Sequence, residues 1–382
     1  MSRAATQGYD GSGPAAGGER APTPRGAGWD RPPGAAGRLP VANTIRRSRR
    51  ECGRRGGGPV RNRQRVLVRG LLVLLLAAVV AGPLPAAQAQ TRLVMAFVPS
   101  LDAERVLASG RTVARMLEVA TGYTIEATVP TSYAATIEAL CAGRVHIAWL
   151  APASYVLANA RCGAEVGLIS IRANLPYYGS QILVRSDVPA RTVADLRGKR
   201  FAFGDPASTS SYIWPAVYLK KKGFDPNTFF SQVIFAGGHD RVVIAIYQGS
   251  VDAGATFGDR FANDARERVL RQFPDVKERV RILEYVGPPT ISYIPNDTIS
   301  FRKELPDEVK QRIIRAMFRI AQTPPGREAV DALYQHEGYA TYEDLIRKYN
   351  VDPRQVPNLD AFFNPIRDAI KLLGLDLNRI VR

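Results

Sequence analysis

The chain has 382 residues, 46% of them hydrophobic and 23% charged, which suffices for two ordinary domains with their own cores and excludes a wholly disordered protein. Its formal net charge of +17 would point to nucleic acid or an anionic surface if it were evenly spread. It is not: residues 1–89 hold 15 of the 52 basic residues and 4 of the 35 acidic ones, so the remaining 37 basic and 31 acidic residues leave a net charge of only +6, an ordinary surface and no nucleic-acid footprint.

Residues 1–60 are rich in Gly, Pro, Ala and Arg without apolar periodicity, and are predicted to be a disordered basic leader. Arg61, Arg63, Arg65 and Arg69 then precede an apolar run over 70–81, followed by Pro83, Pro85 and the small-residue site Ala87-Gln88-Ala89. The segment 61–89 reads as a secretory signal cleaved after Ala89, because the apolar run is shorter than the ~20 residues that span a bilayer. The predicted location is therefore outside the cytoplasm, in a periplasm or at a cell surface. The exported part keeps Cys141 and Cys162, which the sequence leaves open as a disulfide or as two buried thiols.

From residue 90 onward, short β-branched or apolar runs alternate with helical patterns. Strands are predicted at 92–98, 123–129 and 145–150, with helices at 103–120, 133–142 and 153–160; Val106, Leu107, Val113, Met116 and Leu117 give the first helix its apolar face. A second set follows, with strands at 180–184, 200–203, 233–235 and 253–257 and helices at 193–196, 210–222 and 240–248. Beyond Pro306 the pattern is helical, at 307–321, 326–333, 342–349 and 359–373. The fold class is α/β, with mostly parallel sheets flanked by helices. A segment around 292–301 is placed to return the chain to the first set, which gives two lobes, 90–179 plus 298–382 and 180–297, with a cleft between them. Ligands favour such clefts and the loops at the carboxyl ends of parallel strands.

Those loops carry the chemistry. Asp205-Pro206-Ala207-Ser208-Thr209-Ser210 lies after a strand and opens a helix, where amide donors, the positive end of the helix dipole and the hydroxyls of Ser208, Thr209 and Ser210 suit a tetrahedral oxyanion. One of these hydroxyls would serve as a helix cap; three exceed what capping needs. His239, after Gly237 and Gly238, is either a further donor with its backbone brought close to ligand or a surface residue capping a loop. Tyr133, Tyr177 and Tyr178 sit where a phenol can donate to an anion or pack between lobes. Asp259 and Asp297, at predicted strand ends, are ligand residues if the ligand also carries a cation, and loop-capping acids otherwise. There is no GxSxG, no Walker loop and no clustered metal-ligand set, so neither catalytic residues nor a metal or cofactor is predicted.

The stretch Asp205-Pro206-Ala207-Ser208-Thr209-Ser210, with Gly238-His239-Asp240, Ile294-Pro295-Asn296-Asp297 and Phe301-Arg302-Lys303-Glu304-Leu305-Pro306, resembles the phosphonate, phosphite and phosphate substrate-binding proteins of ABC transporters. The resemblance covers about 93–321 and implies a two-lobed type II periplasmic-binding fold that closes over its ligand. It implies that Ser208, Thr209, Ser210, Tyr133, Tyr178 and His239 bind phosphoryl oxygens, and that Asp259 and Asp297 read the amine of an aminoalkylphosphonate. It also implies a monomeric, non-enzymatic protein whose partners are a small phosphorus oxyanion and a transporter permease. The alternatives are a receptor for sulfur oxyanions, a sensor on the same fold, and an enzyme using His239 as a base. The C-terminal helices and the basic leader fall outside what the resemblance explains.

Overall fold

The run Leu93-Val94-Met95-Ala96-Phe97 is apolar on both alternating faces, so as a strand it must be covered on both sides. In the computed structural model, which describes residues 91–261 and 263–375, it forms β1 (Arg92–Phe97) inside a six-stranded sheet. The predicted leader at 1–60 and signal at 61–89 lie outside the described residues. All described residues belong to one compact unit, Pro85–Arg382.

The first sheet has the order β13-β4-β12-β3-β1-β2, with β2 (Thr124–Thr128), β3 (Ile147–Leu150), β4 (Glu165–Ile171), β12 (Thr298–Phe301) and β13 (Gly338–Ala340). The second has the order β10-β6-β9-β7-β8, with β6 (Ser180–Arg185), β7 (Arg200–Phe203), β8 (Gln232–Phe235), β9 (Ala253–Phe257) and β10 (Val280–Val286). A two-stranded ribbon of β5 (Tyr177–Tyr178) and β11 (Ile294–Pro295) lies in the two stretches of chain that pass between the sheets. The expectation of mostly parallel sheets needs correction. β1 pairs in parallel with β2 and β3, and β7 with β8 and β9, but β12 runs antiparallel to both β3 and β4, and β6 antiparallel to both β9 and β10. The reason is the crossing: a strand that arrives from the other sheet enters its new one against the direction of the βα units already there.

Helices α1 (Ala103–Thr121), α2 (Tyr133–Cys141) and α3 (Pro152–Cys162) follow the strands of the first sheet. In the second, α4 (Trp214–Lys221) and α5 (His239–Tyr247) do so, and the short α6 (Val276–Arg279) leads into β10. Asp102 and Ser132 accept from the amides of Arg105 and Ala135 and so fix where α1 and α2 begin. α1 buries Val106, Val113 and Leu117 of the apolar face its spacing predicts, together with Ala114, while Leu107 and Met116 are half-buried. α4 is preceded by a turn of π-helix over Thr209–Ile213. α7 (Asp307–Gln322) and α8 (Pro324–Tyr334) cover α1, and α9 (Tyr342–Tyr349) follows β13. The last helix, α10 (Asn364–Leu373), packs against α3 beside the first sheet and against α4 and the π turn beside the second. Arg367 reaches Asn159 at 3.0 Å and Lys220 reaches the Leu372 carbonyl at 2.8 Å, so this helix ties the two lobes together.

Candidate ligand-binding site

Where a strand ends and a helix begins, the helix presents amides that lack intrahelical partners and the positive end of its dipole. The chain brings five such ends to one place. Leu101 lies just before α1, Tyr133 opens α2, Ala151 precedes α3, Ser208 caps the π turn and His239 opens α5; all five line one cavity of about 30 Å³. Three of the ends come from one lobe and two from the other.

The lobes are latched across this cavity. Thr209 Oγ1 accepts from the Ala153 amide at 2.8 Å, and Ser154 Oγ donates to the Ala207 carbonyl at 3.0 Å. The His239 amide donates to the Ser100 carbonyl at 2.9 Å, and the Tyr133 amide to Asp205 Oδ2 at 3.4 Å. Gly237, at φ +86°, needs to be glycine, and a Cβ on Gly238 would meet the Ser100 carbonyl at 3.3 Å. The close approach to the opposite lobe's backbone is therefore made at Gly238, while Gly237 supplies the positive φ.

Of the residues named from sequence, Tyr133, Tyr178, Ser208, Ser210, His239 and Asp297 line the cavity, and all are buried or nearly so. Tyr177 does not; as its neighbour on a strand it faces the other way, onto Phe362 at 5.1 Å. Two other named residues lie outside this lining. Thr209 is fully buried and does not line the cavity; its Oγ1 accepts from the Ala153 amide in the latch. Asp259 does not line it either. Its carboxylate accepts from the amides of Gly179, Phe261 and Asn263 and from Asn263 Nδ2 at 2.7 Å, which makes it the organiser of its own loop.

Asp297 is in the wall, but engaged. Arg172 Nη2 lies 2.5 Å from its Oδ2, and His336 Nε2 lies 3.2 Å from the same oxygen and 3.0 Å from Arg172 Nη2. Burial pushes the Asp297 carboxyl up, but Arg172 and then His336 outweigh it and hold it below the usual carboxylate range. Burial and then Arg172 push His336 down to about 4, so it is neutral at pH 7 and its contact with Asp297 is not an ion pair. Burial, again reinforced by Arg172, pushes His239 down to about 3. Its Nδ1 accepts from the Phe257 amide at 3.3 Å, which leaves Nε2–H as the ring's remaining donor. Burial drives the Tyr133 and Tyr178 phenols up, so both are neutral donors.

Sequence reasoning missed the positive charge. Arg172 and Arg268 both line the cavity; Arg172 is 6% exposed, with its guanidinium over the Tyr178 ring at 5.0 Å. Burial, with Arg172 next, pushes Arg268 down to about 10, still charged at pH 7. Among the described residues, the Nε atoms of Arg172 and Arg268 and Nε1 of Trp149 are buried donors without an acceptor. Buried donors are almost always paired, so three unpaired ones around one cavity point to an acceptor-rich guest.

Two α/β lobes latched over a small, donor-lined cavity define a solute-binding protein of the type II periplasmic-binding fold. The chain belongs to the family described as ABC transporter, phosphonate, periplasmic substrate-binding protein, whose sequence model matches residues 95–345. It is 32% identical over 174 residues to the phosphate-import protein PhnD of Mycolicibacterium smegmatis, covering 43% of this chain and 54% of the relative. It is 26% identical over 222 residues to the phosphonates-binding periplasmic protein of Escherichia coli, covering 57% of this chain and 62% of the relative. The chain thus spans a little over half to three-fifths of the curated relatives it matches. Among solved structures, a binding protein component of an ABC phosphonate transporter from Pseudomonas aeruginosa superposes with a TM-score of 0.60 at 19% identity, over 76% of this chain and 97% of that one. PhnD1 from Prochlorococcus marinus, in complex with methylphosphonate, does so at 0.58 and 15% identity, over 68% and 98%. At such identities these two likenesses speak to the fold alone. The family is one of periplasmic transport components, and among the described residues no helix is long and apolar enough to cross a membrane.

Proposed function

We propose that the protein is exported and captures a single small phosphorus oxyanion, a phosphonate, phosphite or phosphate, which it delivers without chemical change to the permease of an ABC transporter. The observation that carries this reading is the set of buried donors without acceptors around a cavity at five helix N-termini. Tyr133, Tyr178, Ser208, Ser210 and His239 supply neutral donors, and Arg172 and Arg268 supply the charge. The names of the two curated relatives, one a phosphate-import and one a phosphonates-binding protein, support the same ligand class. In this reading the signal at 61–89 is removed after Ala89, the lobes are 90–179 plus 298–382 and 180–297, and the protein works as a monomer.

Calorimetric titration of the purified protein with phosphate, phosphite, methylphosphonate and sulfate tests it. One-to-one binding of a phosphorus oxyanion with sulfate at least ten-fold weaker is expected, and release of phosphate from a phosphonate on incubation would make the protein an enzyme instead. Tighter binding of sulfate would reassign the site to sulfur oxyanions.

A further inference from the structure

Among the described residues that line the cavity there is one carboxylate, Asp297, and there are two guanidinium groups, Arg172 and Arg268. If the ligand carried an ammonium group, Asp297 is the residue that would have to receive it. Its Oδ2 is already held by Arg172 at 2.5 Å and approached by His336 at 3.2 Å, with the pair almost out of water at 7% and 13% side-chain exposure.

We propose that Arg172 is the specificity residue of this site: it stands as a fixed part of the wall where a ligand's amine would pair with Asp297, so the protein selects phosphorus oxyanions that carry no amine. The proposal rests on the reading of the site as a phosphorus-oxyanion pocket and narrows its substrate class.

Three observations converge on it. The guanidinium is not free to swing away, since it is 5.0 Å from the centre of the Tyr178 ring and 5.9 Å from that of Phe257 while paired with Asp297. A ligand ammonium that displaced it would leave a buried guanidinium without its partner, the costly way to break a buried ion pair. The cavity charge is wrong for a second cation: two arginines against one carboxylate, with His239 and His336 neutral, leave a net positive wall that complements an oxyanion and opposes an ammonium. The size agrees, since a cavity of about 30 Å³ holds the centres of roughly two waters, at about 10–15 Å³ each, which suits a compact tetrahedral anion better than one with a long tail.

The test uses ligands of matched shape. Ethylphosphonate and aminomethylphosphonate differ by a methyl against an ammonium, so titrating the purified protein with both, with inorganic phosphate and methylphosphonate as references, isolates the amine from size. Ethylphosphonate is expected to bind at least ten-fold tighter than aminomethylphosphonate. In Arg172→Gln, which frees the Asp297 carboxylate, that ratio should fall at least ten-fold while the affinity for phosphate drops; in Arg172→Lys, which keeps the charge, the preference should persist. Equal or tighter binding of aminomethylphosphonate by the unaltered protein overturns the proposal, as does a ratio unchanged in folded Arg172→Gln. Should Arg172→Gln fail to fold, the ranking in the unaltered protein decides alone. Failure of both two-carbon-sized ligands with phosphate still bound also overturns it, because size alone would then set the selection. Binding of no phosphorus oxyanion at all rejects the functional reading itself, a result distinct from a reversed ranking.

Discussion

Ser208, Thr209 and Ser210 are adjacent hydroxyls with different work. Ser208 and Ser210 line the cavity, so replacing either with Ala should remove a hydrogen bond to a charged ligand, on the order of 1.5–3 kcal/mol, or about ten- to a hundred-fold in affinity. Thr209→Val removes the acceptor of the Ala153 amide across the cleft, and should cost about 1 kcal/mol, weakening every ligand by the same factor. Asp259→Asn should lower the melting temperature through its loop and leave the ranking of ligands unchanged; a shift in ranking by calorimetry would put Asp259 back in the site. Tyr133, Ser208, Ser210 and His239 were legible because strand, loop and helix follow one another so plainly that their positions at helix starts could be read directly, whereas Tyr178 on β5 and Asp297 between β11 and β12 were singled out by the family resemblance. Arg172 had a weaker signal: it follows the apolar end of β4, a strand terminus of the kind at which ligand-binding loops begin. Arg268 had none, since it ends a short 3-10 turn (Ala265–Arg268) after β9, where one more arginine in a chain with 52 basic residues carries no information before tertiary packing brings it to the cavity.

At the scale of elements, Cys141 and Cys162 are bonded, with Cα atoms 5.4 Å apart, and each is the last residue of its helix, α2 or α3. Because the opposite ends of these helices meet the cavity, the bond pins them at the far side from the ligand. For a loop of this separation, 21 residues, the entropic contribution is about 3 kcal/mol. The Cys141→Ala/Cys162→Ala double variant should therefore melt at a lower temperature with its dissociation constant for phosphate unchanged within about two-fold; thiol titration of the denatured, unreduced protein should find neither cysteine free. The helices themselves were predictable from spacing and caps, but strand direction was not: nothing in the residues of β6 or β12 distinguishes a parallel from an antiparallel neighbour, because direction follows from the path of the chain between lobes. Nor did the pattern over 359–373 foretell that α10 would grip both lobes, a property of where its faces land rather than of its sequence.

At the scale of the whole molecule, the polar centre couples stability to pH. His239 and His336 titrate near about 3 and 4 in the folded protein but near about 6.5 when unfolded, so between these values the unfolded chain binds protons that the native one refuses. Stability is complete above pH ~6.5 and lost as pH falls toward 4, by up to about 1.4 kcal/mol per unit for each histidine. Asp297, held low, extends the loss below the carboxylate range, while Asp205 and Asp240, raised by burial, oppose the histidines' loss just above that range. Thermal melts from pH 7 to 4.5 should show a steady fall, with His336→Gln flattening the slope; a melting temperature independent of pH would mean that these imidazoles are not neutral and buried together. The same centre carries an intrinsic optical reporter. Of the two tryptophans among the described residues, Trp214 donates its indole N–H to the Ser292 carbonyl at 2.8 Å, whereas Trp149 lines the cavity with its indole N–H unpaired and its ring stacked on His336 at 5.6 Å. An anion that accepts from that N–H changes the field on an excited indole held rigidly in place, so ligand capture should be visible as a change in emission without any attached dye. Trp149→Phe should abolish the signal and Trp214→Phe preserve it, which turns the speed of capture and release into quantities that stopped-flow fluorescence can follow in the unlabelled protein.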